Sequence, residues 1–415
     1  MITRRTLHVL ASCCVVVLFT VLSLSRGQAD WTQSAATEGR FVTGLTMHGA
    51  ALFTSTSDSG VYRSTDNGGI WSAAKAGLPR DILTIASTGT VLIAGRDPGV
   101  YRSTNNGDTW TPANTGLSNP SIYALFVSGT NIFAGTAGSG VFRSIDSALS
   151  WTPANATMTT AVVQAFTGGT SNLFAGTKLG GVYRSTDNGS NWVQVNTGLT
   201  SLNVLSLCMS GSDIYMGSAG GGVFRSTNNG AIWTPVPSGL TSPTIYSLVT
   251  SGTSLFAGGA SGGSANVFVS TNSGGNWSSV SGALPLVTVN TLGIAGTYIV
   301  AGTAARGIWR RPLSEVTGVA RRMEGEIPGT ISLSQNFPNP FNPGTTIRYA
   351  LPRQHTVTLS VYNTLGQKVS DLVNEAQEAG NYEVQFDASE FSSGVYFYRL
   401  QAGTSVETRR LLLMK

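Results

Sequence analysis

The chain is poor in charge, in cysteine and in histidine. Asp, Glu, Lys and Arg make up 11% of its 415 residues, where an ordinary soluble domain carries about 25%. With an apolar share of 41%, this excludes a disordered chain, which needs low hydrophobicity and high net charge. The scattered charges give no concentrated basic footprint, so nucleic acid is not an expected partner. Three cysteines and three histidines leave no readable metal cluster, and no cofactor site is expected. Cys13 and Cys14 fall in an N-terminal apolar segment, so Cys208 stands alone beyond it and no intramolecular disulfide is expected there. Beyond the run Val9 to Leu24, no segment is apolar and long enough to span a bilayer.

Glycine is what the chain has in excess, with 51 residues. No three-residue period is present, which excludes collagen. Abundant Gly with few charges fits many tight turns joining short buried strands. The N-terminus reads as an export signal over residues 1–29: Arg4 and Arg5, the apolar run, then Gly27-Gln28-Ala29 for cleavage. The run is short for a membrane anchor, so no transmembrane anchor is expected. Cleavage removes three Arg and no acid, which leaves 22 basic against 20 acidic groups.

Tryptophan reveals a repeat. Trp31, Trp71, Trp110, Trp151, Trp192, Trp233 and Trp277 are 40, 39, 41, 41, 41 and 44 residues apart. Between them recur a polar segment, two apolar stretches such as Ser121–Val127 and Asn131–Thr136, and Gly-Val-Tyr/Phe-Arg-Ser leading to the next Trp. Four short strands per unit of about 40 residues is the arithmetic of a β-propeller. Innermost strands near Phe41, Ile82, Ile122, Val162, Val204, Ile245 and Val289 give seven blades, with six or eight as the alternatives. The last unit ends at Trp309-Arg310 without an outer strand, and Trp31-Thr32-Gln33 is an orphan strand that is expected to complete it.

The turn before each Trp reads RSTDNGGIW from Arg63, RSTNNGDTW from Arg102, RSIDSALSW from Arg143, RSTDNGSNW from Arg184, RSTNNGAIW from Arg225 and VSTNSGGNW from Val269. These strings resemble the Asp-box, or BNR, repeat of sialidases, sortilin-like receptors, xyloglucanases and photosystem II assembly-factor propellers, over residues 30–312. The acidic position is Asp66, Asp146 and Asp187 but Asn105, Asn228 and Asn272. A catalytic carboxylate does not survive replacement by Asn, whereas a turn clamp needs only a side-chain oxygen. The boxes, closed by Trp71, Trp110, Trp151, Trp192, Trp233 and Trp277, are therefore expected to be structural. Ala148 stands where the other boxes have Gly, so that turn is expected to be less regular. The recurring Arg63, Arg102, Arg143, Arg184 and Arg225 are expected to lie over a Trp or line a blade, not to form a cationic ring.

Ligand sites on repeats sit where symmetry breaks. Charges outside the repeat fall in loops on the face opposite the boxes: Glu38, Arg40, Asp58, Lys75, Arg80, Asp81, Arg96, Asp97 and Arg306. Asp58, Arg80, Asp81, Arg96, Asp97 and Arg306 are the candidate ligand-binding residues, in blades seven, one and two. A sialidase-like site needs three convergent arginines with a Tyr/Glu pair, which this set lacks. A xyloglucanase-like site needs two carboxylates flanking the bond, and Asp58, Asp81 and Asp97 are the candidates to supply the pair.

The repeat stops after Pro312. Residues 313–330 read as a charged linker, and residues 331–415 as a second domain of six or seven short strands, a small Ig-like β-sandwich. The strings PNPFNP, VYNTLGQ, SSGVYFYRL and the basic-apolar end closely resemble the type A C-terminal sorting domain of the bacterial type IX secretion system. That resemblance implies export to the periplasm, passage across the outer membrane with the tail recognised and usually cleaved, and release or attachment to surface lipopolysaccharide. The expected protein is secreted or on the cell surface. Its propeller is expected to bind a protein or glycan without catalysis; a BNR-propeller glycoside hydrolase and a structural surface-layer or adhesion component are the alternatives.

Overall fold

The computed structural model describes residues 30–414 except 119–120, 155–157, 159–161, 170–171, 261–265, 317–320, 324–326 and 389–390. Residues 1–29, read as an export signal, lie outside the described residues. The fold is all-β and propeller-like: among the described residues, nine four-stranded antiparallel sheets are joined by turns, with a single 3-10 turn at Leu313–Glu315.

Seven of these sheets come from residues 32–312. Their innermost strands are, from sheet one to sheet seven, Val42–His48, Ile82–Ser87, Ile122–Ser128, Val163–Gly168, Val204–Ser210, Ile245–Ser251 and Val289–Ala295. In sheets one to six the strands follow in chain order from inside to outside. Sheet seven departs from this, because its outermost strand is Thr32–Gln33, paired antiparallel with Trp309–Arg310. Each innermost strand neighbours that of the next sheet, and Val289–Ala295 neighbours Val42–His48.

The core lies between sheets rather than within one. Val42, Leu52, Tyr62 and Trp71 of sheet one, for example, pack on Ala295, Val300 and Ile308 of sheet seven. Second strands such as Ala51–Thr56 and Leu173–Thr177 are covered on both faces, so they read as nearly continuous buried runs instead of alternating. Glycine is required where the outer edge of one sheet meets the next Trp. Gly116 has φ +86°, and a Cβ there would lie 2.0 Å from the Trp151 carbonyl oxygen; Gly239 stands in the same relation to Trp277, at 1.9 Å.

Every innermost strand carries a bulge after its first residue. The extra residue is Thr43, Leu83, Tyr123, Gln164, Leu205, Tyr246 or Asn290. A bulge re-aims the side chain it carries, and here all seven bulge residues line one channel.

The remaining two sheets, from residues 321–413, share one core that includes Ile347, Tyr349, Val384, Val357, Leu359, Tyr398 and Leu411. Part of the stretch read as a linker belongs to them: Arg321–Met323 pairs with Asn381–Glu383. The start of that stretch packs on sheet seven through Leu313 and Val316. The charge-rich composition conceals both contacts.

Candidate functional site

The box turns form one face and share one mechanism. In sheet one, Ser64 Oγ donates to Asp66 Oδ1 at 2.7 Å, and that oxygen accepts the N–H groups of Gly69 and Ile70 at 2.9 Å. The Asn boxes use their side-chain oxygen in the same way: Asn105 accepts from Thr109 N–H, Asn228 from Ile232 N–H and Asn272 from Asn276 N–H. Where the residue is Asp, these donors favour the charged form. Bonds from the Ser150 hydroxyl and N–H hold Asp146 down at about 2, and bonds from the Asn191 N–H and amide do the same for Asp187. Burial opposes the shift at Asp66, but the N–H of Ile70, the Ser64 hydroxyl and the N–H of Gly69 still keep it below its usual value.

The turn at Ala148 is as regular as the others. Ala148 adopts φ +65°, its N–H donates to Ser144 Oγ, and Asp146 clamps Leu149 and Ser150. The reason lies in the preceding sheet. The box glycines Gly107, Gly189 and Gly230 each sit against a second-strand aromatic ring, Phe53, Phe133 and Phe174. At Ala148 the facing residue is Ile93, and the smaller side chain leaves space for a methyl group.

The repeated arginines bridge sheets instead of covering tryptophans. Arg63, Arg143 and Arg184 donate to the carbonyls of Asn106, Asn188 and Asn229, and Arg102 donates to that of Ser147. Each acceptor is the left-handed residue of the next box. Arg310 of sheet seven reaches the Asp66 and Asn67 carbonyls of sheet one. Arg225 breaks the series by pairing with Asp213 at 2.6 Å, and the Tyr215 hydroxyl donates to the Ser273 carbonyl in its place. Val269 has no box ahead of it, since sheet seven takes its outer strand from the N-terminus. The box tryptophans add a second set of bridges: Nε1 of Trp110, Trp151, Trp192, Trp233 and Trp277 donates to a carbonyl of the preceding sheet, and Trp31 donates to Val280. Trp71 instead donates to Gly68 within its own box.

The opposite face carries the turns between second and third strands and the connections between sheets. Here the charged candidates form one continuous rim. The Gly307 N–H, beside Arg306, donates to the Arg40 carbonyl; Arg40 faces Asp58 at 3.5 Å; the Gly60 N–H donates to the Arg80 carbonyl; Asp81 pairs with Arg96 at 2.7 Å, next to Asp97. Four of these charges are therefore paired. The hydrogen bond from Arg96 holds Asp81 below the usual carboxylate range, and Arg96, whose side chain is 15% exposed, is held charged by Asp81 despite its burial. Arg80, Asp97 and Arg306 are exposed and take part in no ion pair among the described residues.

The sequence did not single out the centre of this face. A channel of about 500 Å³ runs into the ring there, lined by residues at the second to fourth positions of the seven innermost strands. The bulge residues surround it, with Tyr123 45% and Tyr246 39% exposed. Thr43 and Asn290 turn sideways, donating to the Ile82 and Val42 carbonyls of the adjacent sheets. Gln164 Oε1 is buried with no hydrogen-bond partner among the described residues. Among the described residues no cluster of three potential metal ligands occurs. His48 is buried and bonds Ser87 through Nδ1, while burial raises the Cys208 thiol to about 12. No helix among the described residues is long and apolar enough to cross a membrane.

Residues 335–414 match the family described as secretion system C-terminal sorting domain, and residues 173–297 match the DUF6242 beta propeller domain. No curated protein matches the chain. Among solved structures it is similar to YCF48 bound to a D1 peptide, with a TM-score of 0.55 and 14% identity over 68% of this chain and 96% of that one. It is also similar to the GH74 xyloglucanase of Xanthomonas campestris (TM-score 0.55, 17% identity, 69% of this chain and 54% of that one). The GH74 enzyme of Niastella koreensis follows, with a TM-score of 0.52, 19% identity and coverage of 66% and 43%. The chain thus spans about half the length of these GH74 enzymes or less. The protein is a β-propeller, similar in fold to the BNR-type propellers, followed by a type IX C-terminal sorting domain that directs export to the cell surface or beyond.

Proposed function

We propose that this protein is a secreted or surface-displayed binding protein whose seven-bladed propeller recognises a protein or glycan without catalysis. Its seven sheets are the blades, closed by the N-terminal strand, and its last two sheets are an Ig-like sandwich that serves as the sorting signal. An N-terminal signal over residues 1–29 takes the chain to the periplasm. The tail then engages the type IX machinery and is cleaved, leaving the propeller released or attached to lipopolysaccharide. Binding uses the loop face, with Asp58, Arg80, Asp81, Arg96, Asp97 and Arg306 on its rim.

The observation that carries the non-catalytic reading is the pairing of two of the three candidate carboxylates on that face with arginines. Glycoside hydrolysis needs a carboxyl held protonated opposite a second carboxylate. Asp81 is instead held ionised by Arg96, and Asp58 faces Arg40 and the Phe41 N–H. The similarity to YCF48, a propeller captured with a peptide, favours the same reading. Incubating the purified protein with xyloglucan and other polysaccharides tests it: no reducing sugar is expected, and turnover above a heat-treated control contradicts it. Deletion of residues 331–415 is expected to leave the propeller in the periplasm, and unchanged surface delivery would refute the sorting route.

A further inference from the structure

The channel mouth differs from the charged rim over sheets seven, one and two. Its lining contains no Asp, Glu, Lys or Arg. What it offers instead is two exposed tyrosine rings, one on sheet three and one on sheet six, separated by two sheets along one arc of the ring and three along the other. Between them on the shorter arc lie Gln164 and Leu205. The fourth residue of each inner strand, Leu45, Ile85, Leu125, Phe166, Leu207, Leu248 or Leu292, is apolar and packs between sheets behind the mouth. A volume of about 500 Å³ lies within the range of roughly 300–1,000 Å³ typical of small-molecule sites.

The uncharged lining selects against a charged ligand. An ion entering this mouth would lose water and meet no opposite charge. The Gln164 side-chain amide on the lining offers a hydrogen-bonding group that a ligand hydroxyl can pair with. A tyrosine ring has a negative face that attracts polarised C–H groups. A neutral sugar ring has C–H faces and a hydroxyl rim, so it satisfies both demands at once. An axial channel admits the end of a chain, not its middle.

We propose that the mouth of the propeller channel is a binding site for the terminal residues of a neutral glycan, with Tyr123 and Tyr246 as stacking platforms and the Gln164 amide as a hydrogen-bonding partner for a hydroxyl. The proposal deepens the binding function above and rests on it. The bulge is the device that builds the site: it places Tyr123, Gln164 and Tyr246 on the channel while the flanking residues of their strands stay packed.

The purified full-length protein is tested on an array of neutral hexose and pentose oligosaccharides, their uronic- and sialic-acid counterparts, and uncharged peptides. The strongest glycan is then titrated by calorimetry against Tyr123→Ala, Tyr246→Ala, Tyr123→Phe and Gln164→Leu. Binding to neutral glycans is expected, weakened roughly tenfold by either Tyr→Ala change and several-fold by Gln164→Leu. Tyr123→Phe keeps the ring and is expected to retain most of the affinity. Melting temperatures should not change, since both tyrosines are exposed. Binding restricted to acidic glycans or peptides, no binding at all, or affinity unchanged in every variant overturns the proposal. If Asp97→Ala with Arg306→Ala abolishes glycan binding while the tyrosine variants do not, the channel site is wrong and the binding function stands. If the bound glycan is cleaved and binding depends on the tyrosines, the non-catalytic reading is wrong and the channel site stands.

Discussion

The two faces of the propeller use polar residues in opposite ways. On the box face the same bonds recur around the ring: an Asp or Asn clamps its own turn, an Arg reaches the next turn, and a Trp reaches back to the previous sheet. On the loop face the charged residues occur once each, and several of them pair locally. Repetition marks construction, because a bond that every unit needs appears in every unit. A residue present in one sheet alone is released from that demand. The contrast also explains the exceptions on the box face: Val269 replaces Arg where no box follows, and Tyr215 donates where Arg225 is diverted to Asp213.

The contrast breaks most easily at a box tryptophan. Trp233 is 1% exposed and bonds the Val195 carbonyl, so Trp233→Ala is expected to cost about 3–5 kcal/mol of stability by denaturant unfolding. A loss below about 1 kcal/mol would contradict its role as a bridge between sheets. The Ile93 and Ala148 pair gives the next largest effect. Ile93→Phe introduces the ring that neighbouring sheets carry and is expected to destabilise by about 1–3 kcal/mol through overpacking. Adding Ala148→Gly should recover most of that loss, and additivity of the two changes would show that the residues are not coupled.

The arginine bridges contribute less. Arg143→Ala is expected to cost about 0.5–1.5 kcal/mol. A loss below about 0.3 kcal/mol, of the size of additivity error between independent sites, would show that these bonds form without contributing. The acid limb sharpens the comparison further. Asp146 and Asp187 titrate near 2 in the folded protein, below the ordinary carboxylate value of 3.8. A depressed folded value contributes stability above the unfolded pKa that is lost as pH falls through the folded one. Melting temperature should therefore drop between about pH 4 and pH 2. The double variant Asp146→Asn, Asp187→Asn should show a shallower drop over that window, and an identical acid profile would remove the carboxylates from the account.

Much of this contrast was legible in the sequence. Tryptophan spacing located the repeat, and the interchange of Asp with Asn at positions such as 66 and 105 separated turn chemistry from catalysis. The arginine bridges were not legible, because donor and acceptor lie 45 residues apart and no local pattern links Arg143 to the Asn188 carbonyl. Ion pairing on the rim was hidden for the same reason. The channel residues were missed because Thr43, Leu83, Tyr123, Gln164, Leu205, Tyr246 and Asn290 share no chemistry. Their common feature is position, one residue after the buried Val or Ile that opens each inner strand, and aligning the units on that residue brings them into register.

The most direct test compares the two faces in one experiment. The unmodified protein, the loop-face variant Tyr123→Ala with Tyr246→Ala, and the box-face variant Asp66→Ala with Asp146→Ala and Asp187→Ala are assayed for neutral-glycan binding and for melting temperature. The account predicts lost binding with unchanged melting for the first variant, and lower melting with retained binding below that melting point for the second. Lost binding with unchanged melting in the box-face variant would place the function on the wrong face and contradict the account.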